Sequence, residues 1–101
     1  MMTATRVQPC RFNLDGKLAP GWAMARPLPI TLEQGEDGTF TTQDELFTVR
    51  GKGETAIEAL RDYMAKLVAY YQSLEARATQ GDEPVRTQLH RLQDYVQAAA
   101  R

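Results

Sequence analysis

The stretch Gly51-Lys52-Gly53-Glu54-Thr55-Ala56 has the outline G-x-G-x-x-A, with strand-like residues before it and helix-like residues after it. Such a turn can bring backbone N–H groups and a helix N-terminus up to a pyrophosphate, because glycine leaves room for close approach. That chemistry also needs a parallel strand after the helix, with an acid near the strand's end. A second helical segment follows instead, so a glycine-rich strand-to-helix turn is the preferred reading. A small ligand-binding domain or enzyme built on the Gly51–Thr55 turn is kept as an alternative. Lys52 lacks the G-x-x-x-x-G-K-S/T spacing of a phosphate-binding loop.

Other reactive side chains stand alone. His90 is the only histidine. It lies beside Leu89 with Arg86 one turn away, and neither a carboxylate orienter nor further metal ligands accompany it. The acids Glu36, Asp37, Asp44 and Glu45 fall at strand ends, where solvated turn residues are commoner than paired catalytic carboxylates. Glu58, Asp62 and Lys66 read as a charged outer helix face. No catalytic residue, metal or cofactor is therefore expected, and the chain is read as a non-enzyme. Tyr63 and Tyr70 are different, because they sit seven residues apart on one side of a helix. Core packing would explain them, but tyrosine is also enriched at protein interfaces. They are the residues expected to bind a partner.

The elements that must position these groups divide near Gly53. Leu28 to Gln34 alternates, with Leu28, Ile30 and Leu32 on one face. Asp37-Gly38 supplies a hairpin turn, Thr39 to Gln43 returns, and Leu46 to Arg50 makes a third strand. Before them, Cys10, Phe12 and Leu14 alternate as an edge strand, followed by an irregular crossing punctuated by prolines, with Trp22 anchored on the core. After them, Thr55-Ala56-Ile57-Glu58 has the T-x-x-E spacing of a capping box. Ile57, Leu60, Met64, Leu67, Tyr71, Leu74 and Ala78 then repeat at 3,4 spacing. Gly81 suits a helix stop and Pro84 a helix start. Val85, Leu89, Leu92, Val96 and Ala99 share one face of that second helix.

The expected fold is α+β, with strands followed by helices. A three- or four-stranded antiparallel sheet is followed by a long helix and a second, antiparallel C-terminal helix. All 101 residues form one domain, comprising an arm over 1–27, strands over 28–53 and helices over 55–79 and 84–99. The long helix would run roughly 37 Å at 1.5 Å per residue, more than short strands can cover. Its second half must pack on the C-terminal helix, on a second copy of the chain, or on both.

Composition narrows the setting. Twelve basic and thirteen acidic residues leave a net charge of −1, which argues against a nucleic-acid partner. Cys10 is the only cysteine, so no internal disulfide can form and a reducing cytoplasm is expected. No run approaches the roughly 20 apolar residues of a membrane span.

Glu36-Asp37-Gly38-Thr39-Phe40, followed by Leu46-Phe47-Thr48-Val49-Arg50-Gly51-Lys52-Gly53-Glu54-Thr55-Ala56-Ile57-Glu58-Ala59-Leu60, resembles the HicB-like antitoxin family. That family reads acidic-Asp-Gly-x-aromatic in a strand and Gly-x-Gly-x-Thr-x-x-Glu-Ala at the start of a helix. The resemblance covers about a third of the chain. It implies a partial ribonuclease-H-like domain without catalysis, which binds and masks a small ribonuclease toxin. It also implies a toxin–antitoxin system. Family members commonly add a DNA-binding segment, whereas the tail from Pro84 to Arg101 reads as a single helix. A phage or mobile-element inhibitor of a host protein is the other binding role considered, and a homodimer is the other association.

Two substitutions test the helix assignments. Thr55→Ala is expected to cost about 1 kcal/mol, the usual loss for an N-cap. His90→Ala should stay within about 0.5 kcal/mol of the parent, as exposed changes do. Chemical denaturation ranks the pair.

Overall fold

The computed structural model describes residues 9–98, and within them the first strand is Cys10–Leu14 (β1). There follow Lys17–Ala19 (β2), Trp22–Met24 (β3), Leu28–Gln34 (β4), Phe40–Asp44 (β5) and Arg50–Gly53 (β6). Helices Ala56–Ala78 (α1) and Glu83–Gln93 (α2) come next, and a short strand, Val96–Ala98 (β7), ends the described chain. The fold is α+β, as the strand-then-helix pattern requires. The main sheet is antiparallel throughout, in the order β1-β4-β5-β6. A smaller sheet has the order β2-β3-β7.

The β4–β5 hairpin follows from its sequence. Gly38 has φ +86, a region open to glycine and costly for residues with a Cβ. The Asp37 carboxylate accepts from the Thr39 N–H at 2.9 Å, closing the turn. Leu28 and Ile30 point inward and are fully buried, as the alternation predicted.

Three expectations need correction. The third strand is not Leu46 to Arg50 but Arg50–Gly53. Gly51 and Gly53 therefore lie inside a strand rather than in a turn. The C-terminal helix does not run to residue 99; it stops at Gln93, and Val96 turns into β7, which pairs with β3. Val96 supplied an apolar position at helical spacing, yet Asp94 caps the helix before it is reached. The arm before residue 28 is more regular than an irregular crossing. Its β2–β3 hairpin forms a sheet with β7, and Trp22 packs edge-to-face on Tyr71 with ring centres 4.9 Å apart. Residue 99 lies outside the described residues.

The helices start where their caps stand. Thr55 accepts from the Glu58 N–H at 3.1 Å, and Glu58 reaches back to the Glu54 N–H at 2.9 Å, one residue before the usual capping-box donor. Asp82 caps α2 by accepting from Val85 N–H, and Pro84 sits in the first turn. The second half of α1 packs against α2, where Gln88 donates to the Tyr70 hydroxyl at 3.2 Å.

The face that α1 buries includes the expected Leu67, Tyr71 and Leu74, but in the first half of the helix it is rotated from the expected one. Ala59, Tyr63, Leu67, Tyr71 and Leu74 are buried. In the first half, Ile57 is 61% exposed and Leu60 and Met64 are half-buried. The cause is the closeness of the helix to β6. A Cβ on Gly51 would collide with the Ala59 carbonyl oxygen and the Tyr63 nitrogen, and one on Gly53 would collide with Glu58 and Ala59. Only a small residue at position 59 and bare backbone at 51 permit this contact. Ala59 thereby becomes the centre of the buried face.

Gly51→Ala should accordingly destabilise the protein by about 3 kcal/mol, at the upper end for overpacked sites. Urea denaturation measures the loss.

Candidate functional site

Asp44 ends β5 and is 4% exposed. A buried carboxylate is tolerated only when its lone pairs are taken up. Here Oδ1 accepts from the N–H groups of Phe47 and Thr48, the latter at 3.0 Å, and Oδ2 accepts from the Val49 N–H at 3.2 Å. The fourth donor is the Tyr63 hydroxyl, 2.6 Å from Oδ2. Asp44 thus shapes the loop between β5 and β6 and fastens it to α1. Thr48, with φ 56, is the only non-glycine residue at positive φ among the described residues. Such a conformation is unusual for a β-branched side chain, and the Asp44 bond to its N–H holds it there.

Tyr63 is fully buried. This corrects its placement on an exposed helix edge: it packs on the sheet side and cannot touch a partner. Burial, and next the Asp44 carboxylate beside it, push its hydroxyl far above the ordinary tyrosine range. A short bond between an aspartate and a tyrosine could suggest proton transfer, but both groups are enclosed and mutually satisfied. Their arrangement is structural. Tyr70 is half-buried against α2, so the two tyrosines do not share a surface.

The remaining candidates stay apart. Asp37 is fully exposed, and its carboxyl lies below the usual range mainly through the Thr39 backbone N–H, helped by the Thr39 hydroxyl. Glu45 pairs with Arg11 at 3.0 Å on the outer side of the sheet. Asp62 is lowered chiefly by Lys66, 2.8 Å away, and also accepts from the Lys52 N–H at 2.9 Å. Lys52 therefore has its backbone, not its ammonium group, tied to the helix. His90 is exposed on α2 and Cys10 on β1. Among the described residues no cluster of three or more His, Cys, Asp or Glu could hold a metal ion, and no helix is long and apolar enough to cross a membrane. The glycines of β6 offer no phosphate cradle, because α1 fills the space in front of Gly51 and Gly53. The donor at Glu58 is already taken by Thr55.

Along one flank α1 carries an apolar strip that is only partly covered. Ile57, Leu60, Met64 and Val68 follow one another there at 3,4 spacing. Ile57 is exposed, while the others are half-buried and packed against the core. Asp62, on the opposite flank, reaches the outer edge of β6, so the strip looks the other way, towards β4 and β1. Phe12 and Leu32 lie half-buried on the helix-facing side of those strands. The signal for this strip is in the sequence, since Ile57, Leu60 and Met64 belong to the 3,4 stripe, but in the first half of α1 the sheet covers Ala59 and Tyr63 instead. Elsewhere a cleft of about 260 Å³ is bordered by Arg11, Pro29, Glu45, Leu46 and Tyr95. A second, of about 310 Å³, lies beside the β4–β5 hairpin, between Glu33, Asp37, Thr41 and Lys52. Neither is lined by a buried polar side chain.

Compared with protein-family models, characterised proteins and solved structures, the chain matches none of them.

The Asp44–Tyr63 bond yields a pH prediction. Tyr63 is held neutral in the folded state and ionises near pH 10 when unfolded. A raised folded pKa means that this contribution is complete below about pH 10 and is lost as pH rises further. Stability of the parent should fall across pH 10–11, about the unfolded tyrosine range, more steeply than that of Tyr63→Phe. At neutral pH Tyr63→Phe should cost about 1.5–3 kcal/mol, the range for a bond to a charged group. Denaturation series at several pH values measure both.

Proposed function

We propose that the chain is a non-enzymatic protein-binding module of the antitoxin type, which covers a partner such as a small ribonuclease toxin in the cytoplasm. The observation that carries this reading is the apolar strip on α1. Ile57 is the one large hydrophobic side chain exposed among the described residues, and it runs on into half-buried Leu60, Met64 and Val68. Scattered exposed hydrophobics need no explanation, but a continuous row beside half-covered sheet positions resembles a contact surface. Burying it removes apolar area from water at about 25 cal/mol per Å². Helix faces with anchors at this spacing are a common recognition mode.

The chemistry of the interior favours the same reading. Asp44 and Tyr63, the pair best suited to acid–base work, spend their hydrogen bonds on each other and on the loop. The resemblance over Glu36–Phe40 and Leu46–Leu60 points to a toxin as the partner class, and those residues form the hairpin, β6 and the start of α1. The contact surface is moved from Tyr63 and Tyr70 to the strip.

Co-expression with the adjacent reading frame, followed by affinity purification, tests this. A stoichiometric complex is expected. Ile57→Glu with Met64→Glu should weaken it by tenfold or more, about the loss when interface anchors are removed, with circular dichroism unchanged. Equal capture by the double variant, or no complex, contradicts the proposal.

A further inference from the structure

The two edges of the main sheet are treated differently. At β6 the edge is guarded: α1 lies over its glycines, and the Lys52 N–H donates to the Asp62 carboxylate. At β1 no such device is present among the described residues, apart from Pro9 just before the strand. The strand is five residues long, Cys-Arg-Phe-Asn-Leu, and carries no proline. It pairs with β4 in unbroken register from Cys10↔Leu32 to Leu14↔Leu28, so no bulge twists it away. Its one charge, Arg11, does not point inward, and it is neutralised by Glu45 on the outer side of the sheet. Proteins usually blunt an open edge with proline, bulges, inward charges or a covering element. An edge left flat and uncharged fits another strand.

We propose that β1 pairs antiparallel with β1 of a second copy of this chain across a two-fold axis at Phe12, joining the main sheets into one of eight strands. The strand is self-complementary in that register. Cys10 of one copy faces Leu14 of the other, Arg11 faces Asn13, and Phe12 faces Phe12. No like charges are opposed, which would be destabilising in directly facing positions. The helix-facing row is apolar in every pair, and the outer row is polar in every pair. A shift of the axis by one residue, to Arg11, would set the two guanidinium groups against each other, and a shift to Asn13 would place Phe12 opposite Leu14 but leave Cys10 and Arg11 facing residues beyond the strand. Phe12 is half-buried in the monomer and gains a partner ring only in the proposed register. A two-fold interface of this kind closes on itself and gives a dimer rather than a fibre. The α1 strips of both copies then flank one continuous sheet face. The inference rests on the strand edge and not on the proposed partner, and the test below involves no partner.

Light scattering of the purified full chain should give twice the 11.3 kDa chain mass. Phe12→Lys, which sets two ammonium groups together at the axis, should raise the dimer dissociation constant about tenfold or more, with unchanged circular dichroism. In a Cys10→Ser background, Phe12→Cys should oxidise to a covalent dimer. Directly opposed residues of an antiparallel pair lie about 4.5–5.5 Å apart at Cα, within disulfide reach. Asn13→Cys in the same background should not cross-link. A monomer at high concentration overturns the proposal. So does a dimer that Phe12→Lys leaves intact, or one in which residue 13 cross-links in preference to residue 12.

Discussion

The contact between the backbone of β6 and that of α1 governs the arrangement. Gly51 carries no side chain, and Ala59 carries a methyl group, so helix and strand come closer than ordinary side chains would permit. Two polar links then cross the gap. The Thr42 hydroxyl donates to the Ala59 carbonyl at 2.8 Å, and Tyr63 donates to Asp44. Thr42 and Asp44 are the buried polar residues among those described, and each is linked to α1, although three loop amides supply the other bonds to Asp44. The rotation of the helix about its axis follows from this. Because Ala59 and Tyr63 must face the sheet, the row Ile57, Leu60, Met64 and Val68 is turned to the flank.

That rotation separates what the sequence shows from what it conceals. Helix α1 was legible end to end, since Thr55 and Glu58 mark its start and apolar spacing runs through it. The β4–β5 hairpin was equally plain from Asp37-Gly38. The apolar stripe on α1 was also visible, but periodicity ranks positions by bulk. It favours Leu60 and Met64 over Ala59, whereas close backbone approach favours the smallest residue. Asp44 was hidden for a related reason. At a strand end it resembles any solvated turn acid, and its four donors come from residues that meet only in three dimensions. Strand β7 was missed because three residues after a helix at apolar spacing carry no mark of their own, and they pair with β3 far away in the chain.

The surface that results is divided by chemistry. The outer side of the main sheet presents Arg11, Thr31, Glu33, Thr41, Gln43, Arg50 and Lys52, which water can solvate. The helix side presents the apolar strip, and no described element covers the strand edge beside it. Apolar contact and strand pairing are the two cheapest ways for proteins to recognise each other, and both lie on the same side of this molecule. Its interior is closed by hydrogen bonds that maintain shape.

The claim underlying all of this is that Asp44 and Tyr63 join the β5–β6 loop to α1 as one cooperative unit. Native-state hydrogen exchange of the Phe47, Thr48 and Val49 amides tests it most directly. If the clasp acts as described, these loop amides exchange only by global unfolding, with the same opening free energy as amides in the middle of α1. Exchange through local opening, several kcal/mol easier than that of the helix as frayed loops show, would contradict the account.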